Sequence, residues 1–233
     1  MNYLANFLTG LSLISGFASI IFSLERHFTF ASWAIILSVI FDGLDGQFAR
    51  MNPLPSEFGK ELDSLVDVVS FGIAPAILGY IFIYHSFYLW AVIVLLVYLV
   101  CSVFRLAKYN ITPKEKMVNY FIGLPTTISG GVLASFILIY RKYTQLPPPV
   151  ISLFLVLILA FLMISKVKYP NIEYFKKNFK KSVPVVSGII FIIFIVPFLF
   201  YWITSVFLSE LSILTIFSIY LIFSPALLLK RIP

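Results

Sequence analysis

The chain has 233 residues, 61% of them hydrophobic and 12% charged, with a formal net charge of +7. Soluble domains carry about 25% charged residues, so this composition excludes an ordinary water-soluble fold and makes lipid the main solvent. The single cysteine, Cys101, excludes a disulfide framework. The basic excess falls in short loops, in the pattern of membrane topology, which argues against nucleic acid as a partner.

About 20 apolar residues cross a bilayer as a helix. Apolar runs bounded by polar residues, Pro or Gly predict eight spans, near 7–24, 30–50, 58–83, 87–109, 123–140, 148–165, 184–203 and 211–228. The expected fold is all-α, a polytopic helical bundle forming a single membrane domain over 1–233. No basic segment precedes the first apolar run, which leads straight into the second, so it reads as a retained helix and not a cleaved signal peptide.

Eight spans put both termini on one side. The loops on that side hold fourteen of the seventeen Lys and Arg residues, from Arg50 and Lys60 through Arg105, Lys108 and the run Lys166–Lys181 to Lys230 and Arg231. Arg26, Arg141 and Lys142 fall on the other side. The positive-inside rule assigns the first group to the cytoplasm of a cytoplasmic-membrane protein. His27 and His85 stand singly on the far side and are not expected to bind metal.

All four aspartates, Asp42, Asp45, Asp63 and Asp67, lie in one 26-residue window on the second and third spans. A carboxylate near the bilayer centre costs about 2.5 to 3.5 kcal/mol, so four of them require compensating partners, and metal cations are the natural ones. Residues three and four apart share a helix face, which puts Asp42, Asp45, Gly46 and Ala49 on one stripe and Gly59, Asp63 and Asp67 on another. Pro53, Pro55 and the N-cap candidate Ser56 turn the two helices back on each other, so the acidic stripes can face. Asp42 precedes Arg50 by eight residues, about 12 Å of helix, which places the site just beneath the cytoplasmic surface. Hard oxygen ligands at that depth select Mg2+ or Mn2+, and a pair of such ions would clamp both oxygens of a phosphoryl displacement.

The pattern Asp42-x-x-Asp45-Gly46-x-x-Ala49-Arg50, eight residues, Gly59-x-x-x-Asp63-x-x-x-Asp67 resembles the full signature of the CDP-alcohol phosphatidyltransferase family. The resemblance implies that the four aspartates hold two divalent cations and that Asp67 is also the general base toward the acceptor hydroxyl. It implies that Gly46, Ala49 and Gly59 line the cytidine and diphosphate site, with Arg50 neutralising phosphate charge. Asn6-Phe7-Leu8-Thr9 is similar to the family's amino-terminal Asn-x-x-Thr, although Ala5 stands where proline is expected; Asn6 and Thr9 would then touch the donor, against the plainer reading of a helix start. Against a six-helix family core, residues 1–182 would be catalytic and 183–233 two additional helices. A homodimer is implied as well.

Beyond the aspartates, Asp67-Val68-Val69-Ser70-Phe71-Gly72-Ile73-Ala74-Pro75-Ala76, Phe104-Arg105-Leu106-Ala107-Lys108-Tyr109-Asn110, Tyr120-Phe121-Ile122-Gly123-Leu124-Pro125 and Ser165-Lys166-Val167-Lys168-Tyr169-Pro170 resemble the branch that makes phosphatidylserine. The expectation is transfer of a phosphatidyl group from a CDP-linked lipid, CDP-diacylglycerol or CDP-archaeol, to L-serine with release of CMP. Arg105 and Lys108 are candidates for the serine carboxylate or the donor phosphate, against the plainer reading of topology anchors. Glycerol 3-phosphate, inositol phosphate or another alcohol is the alternative acceptor. A cation-coupled transporter is the competing class, because intramembrane carboxylates also bind transported ions.

Overall fold

The computed structural model describes residues 3–51, 57–112, 120–143 and 150–170, together with 213–215, 217–218 and 220–221. The chain begins with α1 (Tyr3–Leu24) and α2 (Phe28–Met51). A continuous helix follows, made of α3 (Glu57–Asp67), a π-helical turn (Val68–Ile73) and α4 (Ala74–Ile83). Then come α5 (Tyr88–Ile111), a short strand β1 (Tyr120–Ile122), α6 (Thr126–Tyr143), α7 (Ile151–Ile164) and β2 (Lys168–Pro170). Tyr3–Leu24, Phe28–Ala49, Glu57–Ile83 and Tyr88–Ile111 are long and apolar enough to cross a bilayer. The first six predicted spans are thus helices within a few residues of their expected ends. The seventh, 184–203, lies outside the described residues, and the described part of the eighth is helical.

Leu4, Phe7, Ile14, Phe17, Trp90, Leu96, Phe104, Phe154 and Phe161 are large, apolar and exposed on the outer faces. In water such a surface would be an aggregation patch; in lipid it is the matched solvent contact. The inner face of α1 is the reverse: Ala5, Thr9, Ser12, Ser15, Gly16, Ser19 and Ser23 are buried. Without a hydrophobic driving force between helices in lipid, small residues allow close packing and hydroxyls supply hydrogen bonds across the seam. Ser12 and Ser38 pair at 2.7 Å, and Ser38 also donates to Ser12 O at 3.0 Å. Thr9 meets Asp45 farther along, so residue numbers rise on α1 as they fall on α2 and the two helices run antiparallel. Their tight connection ends α1 with His27 N bonded to Phe22 O and Arg26 N to Ser23 O, with Arg26 in the left-handed region at φ 61°. That is the Schellman arrangement, here with arginine where glycine is usual.

The π turn begins directly after Asp67 and packs against α1, α5 and α6. Within it, Ser70 donates to Ser12 O at 3.2 Å, and Phe71 O accepts from the buried Tyr98 hydroxyl at 3.1 Å. The polar groups of the widened turn are therefore used to tie it to its neighbours. Periodicity alone reads this stretch as uninterrupted α-helix, which is the difference the structure makes here.

A second difference is at the start of the fifth predicted span. Tyr120–Ile122 pairs antiparallel with Lys168–Pro170, with Tyr120 opposite Pro170, Phe121 opposite Tyr169 and Ile122 opposite Lys168. Gly123 follows at φ 80°, a conformation that costs glycine nothing and other residues strain. Leu124 N then bonds Leu162 O at 3.0 Å, so α6 begins only at Thr126. We call this strand pair the clasp, because it joins the end of α7 to the start of α6.

The seam between α1 and the π turn generates a stability prediction. A Cβ on Gly16 would meet Ser70 Cα at 2.8 Å, whereas nothing lies within 4 Å of one on Gly10. Gly16→Ala should destabilise by about 1–3 kcal/mol through overpacking. Gly10→Ala should be neutral or gain up to about 1 kcal/mol from helix propensity. Thermal unfolding of the two variants in detergent checks the order, and the reverse order contradicts the packing.

Candidate metal and phosphate site

Asp42 and Asp45 come from the last turns of α2, Asp63 and Asp67 from α3. Asp42, Asp63 and Asp67 each place one carboxylate oxygen within 4.8 Å of the other two. The helical spacings of three and four residues put them on facing stripes, as the sequence implies. Asp45 is outside this trio. It is 4% exposed, and its Oδ2 accepts a hydrogen bond from Thr9 Oγ1 at 2.7 Å. Thr9 also lies 3.0 Å from Ala5 O, but a hydroxyl has one proton, and the shorter contact to a carboxylate is the stronger use of it.

Asp67 sits among the charges of Asp42, Asp63 and Arg105. Asp42 is also approached from α6, where Thr127 Oγ1 donates to its Oδ2 across a long 3.4 Å. Three ionised carboxylates this close repel one another, and a cation between them would relieve the repulsion. The donors are all hard oxygens, which fit Mg2+ or Mn2+ and offer nothing to softer metals. His27 and His85 are far from this choice: His27 lies 4.0 Å from Glu25 and the His85 ring lies tilted against Tyr84, both at helix connections remote from the aspartates.

Small residues surround the carboxylates. Gly46 and Gly59 are half-buried and Ala49 is exposed, so no bulky side chain at these positions covers the approach to the site. Asn6 is half-buried one turn before Thr9. Arg50 is the penultimate residue of α2, and its side chain is outside the described residues.

Arg105 is 8% exposed on α5. Its Nη1 donates to Thr126 Oγ1 at 3.2 Å, its guanidinium lies 5.3 Å over the Tyr109 ring, and Asp67 supplies the largest compensating charge. Arg105 Nε has no hydrogen-bond partner among the described residues. A buried guanidinium donor left open is costly, and an anionic ligand would satisfy it. Arg105 and the exposed Lys108 line a cavity of about 170 Å³ with Phe104, Tyr109, Thr112, Ile122, Met163 and Ile164. The structure therefore brings Arg105 toward the aspartates and leaves Lys108 at the outer part of the cavity.

Sequence reasoning missed Thr126 and Thr127. They directly follow Gly123-Leu124-Pro125, a stretch singled out above, and a pair of hydroxyls at a helix start was the available signal. It also missed the tie between α3 and α5, in which Asn110 Nδ2 donates to Ser64 Oγ at 2.8 Å and Lys60 Nζ to Asn110 O at 3.4 Å.

Comparisons with known proteins bear on this geometry. A family model described as CDP-alcohol phosphatidyltransferase matches residues 2–164. The chain is 34% identical over 177 residues to the CDP-diacylglycerol–serine O-phosphatidyltransferase of Helicobacter pylori strain 26695, covering 75% of each chain. It is 36% identical over 170 residues to the protein of that name from Methanocaldococcus jannaschii, covering 72% of this chain and 74% of that one. It is 34% identical over 176 residues to the archaetidylserine synthase of Methanothermobacter thermautotrophicus, covering 73% and 70%.

The repulsion within the trio predicts a binding response that needs no turnover. At a free Mn2+ concentration one hundred times its dissociation constant, the purified protein should gain about 2.7 kcal/mol of stability. Asp63→Asn should be at least as stable as the parent without metal and should lose most of the Mn2+ response. Thermal unfolding with and without Mn2+ measures both, and an undiminished response in Asp63→Asn would remove Asp63 from the site.

Proposed function

The chain belongs to the CDP-alcohol phosphatidyltransferase family and is an integral membrane enzyme of phospholipid synthesis, and on that premise we propose that its acceptor is L-serine. The observation that carries this reading is Arg105, buried with an open Nε, with Asp67 as its main opposing charge and a cavity along its side chain. Serine presents a carboxylate that a guanidinium can bind while its hydroxyl reaches toward the aspartates. The names of the three relatives support serine, and they span both diacyl and archaeal lipids, so the donor is proposed as a CDP-linked lipid of either kind.

In this reading Asp42, Asp45, Asp63 and Asp67 hold two divalent cations, Mg2+ or Mn2+, which supply charge neutralisation at the donor diphosphate when bound. Thr9 acts through Asp45, fixing the orientation of that carboxylate. Gly46, Ala49 and Gly59 leave room for the nucleotide, Asn6 contacts the donor, and Arg50 meets phosphate. Arg105 orients serine, with Lys108 attracting the anion to the cavity mouth. Asp67 takes the proton of the serine hydroxyl as its oxygen bonds to the lipid-side phosphorus. The bond from that phosphorus to the CMP oxygen breaks in the same displacement, and CMP leaves. No Cys, His or Ser nucleophile is called on, in keeping with direct in-line transfer.

The acceptor end of the bundle is proposed to face the cytoplasm. With Cys101→Ser as background, Glu57→Cys and His85→Cys probe opposite ends of the long helix from α3 to α4 and of its following turn; both positions are exposed. A membrane-impermeant thiol reagent should label the first only from the cytoplasmic side and the second only from the other, and the reverse result would invert the orientation.

The acceptor itself is tested with purified enzyme and CDP-diacylglycerol, following CMP release for serine, glycerol 3-phosphate and inositol phosphate. Serine should be preferred, and a chelator should abolish release until Mg2+ or Mn2+ is restored. Arg105→Lys keeps the charge but loses the paired donors, so serine KM should rise by about tenfold or more with the KM for CDP-lipid little changed. Efficient transfer to a phosphorylated alcohol with no phosphatidylserine formed would reject serine.

A further inference from the structure

The motifs around Gly123 and Tyr169 have so far been given no part in the chemistry, yet they meet in the clasp and the clasp ends at the site. Gly123 N donates to Val167 O at 2.8 Å, and Ser165 Oγ, which accepts from Val167 N at 3.3 Å, donates to Leu162 O at 2.8 Å. A Cβ on Gly123 would run into Met163 O, so the turn is seated on the end of α7 with no space to spare. Tyr169 is 1% exposed, and Lys168 Nζ lies 4.7 Å over the Tyr120 ring. The first turn of α6 therefore starts from a fixed base.

Two contacts run from that base to Arg105. Phe121 packs on Tyr109 with ring centroids 5.8 Å apart, and Tyr109 carries the Arg105 guanidinium on its face. From the other direction, the fully buried Thr126 accepts from Arg105 Nη1. The next residue, Thr127, donates to Asp42. Adjacent hydroxyls on one helical turn thus reach the arginine of the acceptor cavity and a carboxylate of the trio.

We propose that Thr126 and Thr127, held by the β1–β2 clasp, are positioning residues that set Arg105 toward the acceptor and Asp42 toward the cations. Neither touches the reacting atoms. Thr126 occupies one nitrogen of the guanidinium fork and leaves Nε open for an acceptor. Thr127 occupies one oxygen of Asp42 and so limits rotation of that carboxylate. The link to acceptor selectivity rests on the function proposed above; the link to Asp42 does not.

The test uses four variants of the full-length enzyme: Thr126→Val, Thr126→Ser, Thr127→Val and Thr127→Ser. Steady-state kinetics use the alcohol that the parent enzyme itself prefers, and Mn2+ affinity is measured separately by electron paramagnetic resonance. Thr126→Val should raise the acceptor KM about tenfold while Mn2+ affinity and the KM for CDP-lipid stay within about twofold; Thr126→Ser should restore the parent value. Thr127→Val should weaken Mn2+ binding about fivefold with the acceptor KM little changed, and Thr127→Ser should recover it. Unchanged values in both valine variants, the same loss of every parameter in both, or failure of the serine variants to rescue would each overturn the proposal. If the preferred alcohol proves not to be serine, the acceptor assignment fails while the split between Thr126 and Thr127 is still read.

Discussion

Everything at the working end of this bundle follows from three carboxylates held within 4.8 Å of one another. Two unit charges about 4 Å apart near a protein surface interact by about 4 kcal/mol, so the trio opposes its own assembly. The scaffold that overcomes this is built from hydroxyl contacts and close helix seams. Thr9 holds Asp45, Thr127 reaches Asp42, and Ser12, Ser38 and Ser70 tie α1, α2 and the π turn together immediately below. A cation held between the carboxylates would remove the opposition, so a geometry that is costly for the ionised trio alone would become favourable with the ion bound.

The acidic stripes and the helices that bear them were legible because both are periodic signals. Spacings of three and four residues specify a helix face, and apolar runs of about 20 residues specify a span. Asp42, Asp63 and Asp67 came together as the spacing implies. Asp45 shares the stripe but is engaged by Thr9, a partner on another helix that no local pattern announces. Arg105 was suggested by resemblance and charge; its burial against Thr126 and Tyr109 was not, because those neighbours are set by how α5 and α6 pack.

The clasp was illegible for a different reason. Its strands, Tyr120–Ile122 and Lys168–Pro170, are three residues each, too short for alternation to emerge, and each borders an apolar helix whose signal dominates the window. What joins them is backbone pairing over a long separation in sequence, and only the positive φ of Gly123 leaves a local trace. The two stretches had nonetheless been singled out by resemblance. Their pairing gives a physical account of why both belong to one device.

The π turn after Asp67 has a consequence for how the chain tolerates changes in length. A π turn holds an extra residue per turn, and here Ala74 N bonds back to Val69 O across five residues. Removing one residue from Val68–Ile73 would let the helix relax to ordinary α hydrogen bonding with Asp63 and Asp67 in nearly the same phase relative to α4, whereas one residue lost from a plain α-helical stretch turns its two ends against each other by about 100°. The carboxylates would go on facing Asp42; what would be lost is the widened turn that meets Ser12 and Tyr98. This six-residue stretch is thus the place within the transmembrane helix where a one-residue change in length can be absorbed without turning the part that bears the chemistry away from the part anchored in the bundle.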